Sequence, residues 1–148
     1  MHDRPTPTPD AEDHGERHRV FVYGTLKRGF GNHRLLEASE YLCRARLENH
    51  RMRRYGPIPA IHTDPGWDVY GELYRVDDRT LARLDRLEGH PDFYVRVRVS
   101  VEMIEDAFGA PVPGRVDCFA YVMPHERVPE DAPTVTDGQW KGARYATV

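Results

Sequence analysis

The chain has 148 residues, of which 39% are hydrophobic and 30% are charged, and its formal net charge is −3. This length predicts a single domain, and the small excess of acidic residues gives no electrostatic reason to bind nucleic acid. No stretch approaches the roughly 18 consecutive apolar residues of a membrane-spanning helix, so the composition argues against a membrane protein and predicts a soluble one.

Residues 1–18 are rich in proline and charge and contain almost nothing that a core could bury. Because burial cannot offset the entropy of ordering such a segment, we predict a disordered tail, with the folded domain over residues 19–148. The tail lacks the apolar region of a secretory signal, which predicts a cytoplasmic location. Cys43 and Cys118 are too few for a disulfide framework and fit no metal spacing, so both are predicted to be reduced and buried.

The first half of the domain is predicted to contain mostly extended chain. The run VFVY reads as a buried strand that enters a turn at Gly24. A helix is predicted over residues 34–41 and an extended segment over residues 42–55, where five arginines are expected on an exposed sheet surface. A second strand is predicted over residues 69–76. The intervening proline and glycine residues predict turns: Pro57, Pro59, Pro65 and Gly66.

The second half is predicted to contain one helix and a long hairpin. Asp77 and Asp78 supply capping side chains for a helix over residues 80–88, which Gly89 ends. Apolar and polar residues alternate over residues 93–103, and residues 116–123 are the expected partner strand. Strands outnumber helices without a regular strand–helix alternation, so the fold class is predicted to be α+β, built on a small curled mixed β-sheet.

Several common catalytic motifs are missing from the sequence. Gly24 and Gly29 have the spacing of a phosphate-binding loop, but the Lys-Ser/Thr pair that should follow is absent. Neither serine lies in the glycine-flanked turn of the serine hydrolases, and no histidine pair has zincin spacing. We therefore expect no catalytic metal, no nucleotide hydrolysis and no serine nucleophile.

Glu88 is the candidate general base. Leu81, Leu84 and Leu87 mark the predicted core face of the helix, and Glu88 falls on or beside that face. Burial, repulsion from Asp85 and the negative end of the helix dipole would all raise the pKa of Glu88 towards neutrality. The alternative interpretation is a partly exposed glutamate at a frayed helix end.

The segment VFVYGTLKRG is the candidate binding turn. A hydrophobic strand ends there in Gly24 and small residues, which leaves backbone N–H groups without strand partners. Such groups can form a nest for an anion or oxyanion, although the same pattern also fits an ordinary loop.

Together, VFVYGTLKRG and the later GELYRVDDRTLARLDRLEGHPDFYVR resemble the paired hallmarks of the gamma-glutamylcyclotransferase-like (AIG2-like) family. The likeness spans residues 20–121. YGTLKRG with the following NHR, and the later VDCFAY, resemble most closely the gamma-glutamylamine cyclotransferase branch. The resemblance implies a small barrel with flanking helices, no cofactor, and release of 5-oxoproline from a small gamma-glutamyl substrate.

The resemblance also implies the site residues. Glu88 corresponds to the catalytic base, and the substrate would be held by Tyr23, Gly24, Thr25, Leu26, Tyr94 and Tyr121. The substrate's own α-amine would attack its γ-carbonyl, with Glu88 passing the proton to the departing amine. A branch acting on gamma-glutamyl amino acids and a non-catalytic binding module remain open alternatives. The expected assembly is a monomer or weak homodimer.

Overall fold

The computed structural model describes residues 16–142, in which five strands form a closed barrel. The strands are β1 (Arg17–Val22), β2 (Glu40–Tyr55), β3 (Ile58–Asp77), β4 (Val95–Glu105) and β5 (Arg115–Val122). Helix α1 (Asp78–Glu88) connects β3 to β4, and two short 3₁₀ helices cover His33–Leu36 and His125–Arg127. This architecture confirms the predicted α+β class and the curled sheet.

The strand order around the barrel is β1-β3-β2-β4-β5. Neighbouring strands are antiparallel except β1 and β5, which close the barrel through a parallel pairing of Val20 with Phe119. The mixed sheet expected from the sequence is therefore present, and its one parallel contact joins the first strand to the last.

Strand β1 is buried on both faces. Phe21 belongs to the cluster that includes Leu73 and Val101, while Val20 and Val22 belong to a second cluster that includes residues of α1. A strand covered on both faces is expected to be a continuous apolar run, which is what VFVY provides. The turn that follows β1 is thus anchored by a fully buried strand.

Helix α1 ends at Glu88 as predicted, but it begins at Asp78, two residues before the predicted start. The Asp77 side chain accepts a hydrogen bond from the Thr80 N–H at 2.7 Å, and Gly89 adopts a left-handed conformation with φ 67°. The Gly89 N–H donates to the carbonyl of Arg86. The first cap fixes where α1 begins and the second fixes where it ends, and hence where Glu88 lies.

Two local predictions were wrong. The helix expected over residues 34–41 is only the 3₁₀ turn His33–Leu36, because the chain has already entered β2 at Glu40. Pro59 and Pro65 lie within β3 rather than in turns before it. Pro59 is the second residue of that strand, and Pro65 lies where the β2–β3 register shifts; both are places that tolerate the missing N–H.

The predicted tail also includes two residues that belong to a strand. Arg17 and His18 belong to β1 and pair with Asp77 and Val76. A ladder is made by backbone groups, so polar side chains at a strand end do not prevent it. Residues 1–15 and 143–148, which contain the rest of the predicted tail and the end of the predicted domain, lie outside the described residues.

Between residues 16 and 142 no helix is long and apolar enough to cross a membrane. Cys43 and Cys118 are both free and buried, as predicted.

Candidate active site

A cavity of about 250 Å³ lies where β1 ends. Every site residue predicted from the sequence lines it: Tyr23, Gly24, Thr25, Leu26, Glu88, Tyr94 and Tyr121. These residues come from the turn after β1, the end of α1, the segment before β4, and β5. A larger cavity, of about 480 Å³, contains none of them. The barrel thus brings together residues that are almost one hundred positions apart in the chain.

Glu88 is the last residue of α1 and lies partly buried in the cavity wall. Burial raises its pKa to about 7, because the surrounding protein disfavours the charged carboxylate. Within residues 16–142 the carboxylate has no hydrogen-bond or ion-pair partner that would lower this value. A carboxyl group with this pKa can both accept and return a proton near neutral pH.

The predicted contribution of Asp85 to that pKa was wrong, since burial is the only cause found. The Asp85 carboxylate instead accepts a hydrogen bond of 2.6 Å from the Tyr121 hydroxyl and lies 3.4 Å from Nε of Arg96. A carboxylate held in this way by a donor and a cation repels Glu88 less than a free one would.

The turn after β1 is held in place by hydrogen bonds between residues close in sequence. The Gly24 carbonyl accepts from the Lys27 N–H, and the Thr25 carbonyl accepts from the Asn32 N–H, both at 3.1 Å. The Asn32 side chain also donates to Oγ1 of Thr25 at 2.8 Å. The turn is therefore fixed before any ligand arrives.

Three backbone donors of this turn are unused. Among the described residues, no acceptor is found for the N–H groups of Gly24, Thr25 and Leu26. At Gly24, a Cβ atom would come within 2.9 Å of Cγ of Pro59. A side chain at Gly24 would thus collide with a close neighbour, and the three residues whose N–H groups lack an acceptor all line the cavity.

Three buried tyrosines complete the wall. The Tyr23 hydroxyl donates to the Tyr121 carbonyl at 2.7 Å, and the Tyr94 hydroxyl donates to the Pro59 carbonyl. Burial raises the pKa of all three phenols, and the charge of Glu88 adds to each increase. The tyrosines therefore stay neutral at physiological pH and sense the Glu88 charge.

The cavity includes residues that sequence reasoning missed. They are Phe21, Val22, Asn32, Ile58, Pro59, Leu87 and Phe93. Leu87, predicted to face the core, is 41% exposed, because it lies in the last turn of α1 at the cavity mouth. Among these residues only Asn32 could have been found from the sequence, because it lies in the NHR segment that follows the binding turn. Pro59 and Phe93 are distant from that turn in the sequence and come near it only in the folded chain.

Across residues 16–142, no group of three or more His, Cys, Asp or Glu side chains is arranged to hold a metal ion. In the described part of the chain, Glu88 is also the only charged residue that lines the cavity. The polar groups of these lining residues are one carboxylate, the unused amides, the paired side chains of Thr25 and Asn32, and phenols that are already hydrogen-bonded. This set suits proton transfer and the binding of a small anionic molecule.

The fold and cavity define a class: five-stranded barrels in which a glycine turn and a helix-terminal glutamate share one small pocket. The chain belongs to the gamma-glutamyl cyclotransferase, AIG2-like family, whose family model matches residues 20–142. It is therefore an enzyme of the cyclotransferase type.

Relatives support this assignment at the level of sequence and fold. The chain is 42% identical to human gamma-glutamylaminecyclotransferase over 116 residues, which cover 69% of this chain and 76% of the human protein. It is 38% identical to the rat protein of that name, with 69% and 75% of the two chains covered. The crystal structure of a mouse AIG2-like protein superposes with a TM-score of 0.72 at 30% identity, covering 85% of this chain and 89% of the mouse chain.

Proposed function

We propose that this enzyme converts a gamma-glutamyl amine to 5-oxoproline and a free amine, with Glu88 as the general acid and base. The observation that carries the proposal is the position of Glu88. This carboxyl group, with its pKa raised to about 7, shares a cavity with the unused amides of Gly24, Thr25 and Leu26.

The reaction needs little from the enzyme beyond positioning and proton transfer. Glu88 takes a proton from the substrate's α-ammonium group, and the freed amine attacks the γ-carbonyl carbon to close a five-membered ring. The carbonyl oxygen becomes an oxyanion. Glu88 then returns this proton to the leaving nitrogen and the C–N bond breaks. The ring nitrogen gives up its second proton through the same carboxylate to the released amine, so the products are 5-oxoproline and an ammonium ion. Proton transfer of this type contributes about 10²–10⁴-fold.

In this proposal the backbone N–H groups of the turn bind the negative charge of the substrate. Within residues 16–142 the cavity wall contains no lysine, arginine or histidine, so this part of the chain offers a substrate carboxylate or a developing oxyanion only hydrogen-bond donors. The N–H groups of Gly24, Thr25 and Leu26 meet that need. One such donor to an oxyanion is worth about 10²–10³-fold in rate.

The same charge distribution favours amines over amino acids as leaving groups. A gamma-glutamyl amino acid carries a second carboxylate on the carbon next to the bond that breaks. That group would lie near Glu88, where residues 16–142 place no cation in the wall, and like charges at this range repel. The names of the human and rat relatives are in keeping with an amine leaving group.

A direct product assay tests the proposal. The protein is incubated with gamma-glutamyl-lysine linked through the side-chain amine, with gamma-glutamyl-alanine and with glutathione, and 5-oxoproline is quantified. We expect most product from the lysine compound, and almost none from any substrate with Glu88→Gln. Glu126→Gln is the matched control, because Glu126 is exposed and does not line the cavity.

Two outcomes would contradict the proposal. Near-normal turnover by Glu88→Gln would exclude Glu88 as the base. Binding of the gamma-glutamyl compounds by the wild-type protein, seen by calorimetry without any 5-oxoproline, would favour the alternative of a non-catalytic binding module.

A further inference from the structure

Two large apolar side chains at the mouth of the cavity are left open to water. Leu87 is 41% exposed and Phe93 is 40% exposed, and both line the cavity that contains Glu88. The remaining large apolar side chain that is this exposed within residues 16–142 is Phe108, in the loop between β4 and β5. Exposed apolar side chains that line one pocket mark a binding surface more often than scattered ones do.

Phe93 is held in place although its ring is open. Its N–H donates to the Gly89 carbonyl at 2.8 Å, and its carbonyl accepts from Nη1 of Arg127 at 2.9 Å. The ring of Tyr55 stacks on it at 6.0 Å, and the ring of Tyr94 meets it edge-on at 5.0 Å. A ring fixed on several sides loses little freedom when a ligand packs against its open face.

The position of this surface relative to Glu88 decides which part of a substrate reaches it. By the proposed function, the glutamyl moiety binds at the amides of the turn and the bond that breaks lies beside Glu88. The leaving amine therefore extends from Glu88 towards the mouth. There it meets Leu87 and Phe93, and of the side chains in residues 16–142 that line the cavity only Glu88 is charged.

We propose that Leu87 and Phe93, with Tyr55 behind Phe93, form a subsite for the hydrocarbon stem of the leaving amine. The subsite selects unbranched amines by the length of their stem. This inference rests on the proposed function and adds a specificity determinant to it. Apolar burial is worth about 0.8 kcal/mol per methylene when complete, which corresponds to about a fourfold gain in kcat/KM. A half-open surface gives about half of that free energy, or about twofold per methylene.

A homologous series of substrates tests the subsite. The values of kcat/KM are measured for the gamma-glutamyl amides of methylamine, propylamine and pentylamine by following 5-oxoproline. We expect kcat/KM to rise about twofold per methylene in the wild-type protein. In Leu87→Ser and in Phe93→Ser the dependence on stem length should fall to less than half, as read from the pentyl-to-methyl ratio within each variant.

Phe108→Ser is the matched control, since it removes an equally apolar side chain that is 95% exposed and does not line the cavity. It should keep the wild-type dependence on stem length. Circular dichroism and thermal unfolding establish that each variant is folded. If Phe93→Ser does not fold, Leu87→Ser decides alone, because Leu87 lies on the surface of α1.

The subsite and the reaction fail in different ways. Turnover of all three amides with equal kcat/KM in the wild type, or an unchanged dependence on stem length in Leu87→Ser, would overturn the subsite and leave the cyclotransferase reaction standing. Absence of 5-oxoproline from every amide would overturn the proposed function, and the subsite with it.

Discussion

Replacing Glu88 by glutamine is expected to remove activity while stabilising the protein above neutral pH. The pKa of Glu88 is about 7 in the folded protein, against an ordinary value of 4.5. Between these two pH values the folded state binds more protons than the unfolded state. The free energy of unfolding therefore falls as the pH rises through this range, and the deficit is complete above the folded pKa.

The size of this effect follows from the two pKa values. They differ by about 2.5 pH units, and each unit corresponds to about 1.4 kcal/mol, so the buried charge costs at most about 3.5 kcal/mol. Glutamine has nearly the same shape and no charge. At pH 8.5 we expect Glu88→Gln to be more stable than the wild type by about 1–3 kcal/mol, and near pH 4 the two should be alike.

Urea unfolding at pH 4 and at pH 8.5 measures the difference, and the 5-oxoproline assay on the same samples measures the lost activity. Glu126→Gln provides the control, because its side chain is exposed and its charge should contribute little to stability at either pH. A variant at Glu88 that unfolds like the wild type at both pH values would show that the carboxylate is hydrated, and the argument for a buried base would fail.

Three further predictions concern the same cavity. Gly24→Ala should lower kcat/KM in the 5-oxoproline assay at least tenfold, because a Cβ there meets the neighbouring proline ring at 2.9 Å. Gly31→Ala is the control and should behave like the wild type, because its Cβ meets nothing within 4 Å. The acid side of the pH–rate profile should follow Glu88, with kcat/KM falling tenfold per pH unit below about pH 7; a rate that is level down to pH 5 would contradict this. Tyr121→Phe should lower the free energy of unfolding by about 1–3 kcal/mol, since it removes the 2.6 Å hydrogen bond to the Asp85 carboxylate, and a loss below about 0.5 kcal/mol in urea unfolding would show that this bond is of little consequence.

The parts of the site that the sequence predicts are those set by local rules. The caps at Asp77 and Gly89 fix the length of α1, and helical periodicity then places Glu88 at its inner edge. The apolar run of β1 likewise predicts where the binding turn begins. Local chemistry is enough for both, because each depends on neighbours only a few residues away.

The remaining wall residues depend on contacts that no local pattern encodes. Pro59 reaches the site because β3 pairs with β2 and passes beneath Gly24, and Phe93 reaches it because Arg127 holds the preceding loop. Arg53 is a similar case. It was predicted on an exposed surface, yet it is 3% exposed and donates to three carbonyls of the segment after β5. Such contacts join segments that are far apart in the sequence, so they can be identified only from the folded structure.

The parallel contact between β1 and β5 has a consequence for how activity arises as the protein folds. A growing or refolding chain that has completed α1 already contains Gly24 and Glu88, but Tyr121 joins them only with the final strand. Because contacts so far apart in sequence form late, turnover should lag behind the gain of secondary structure. Activity would then indicate that the barrel is complete, whereas secondary structure alone would not.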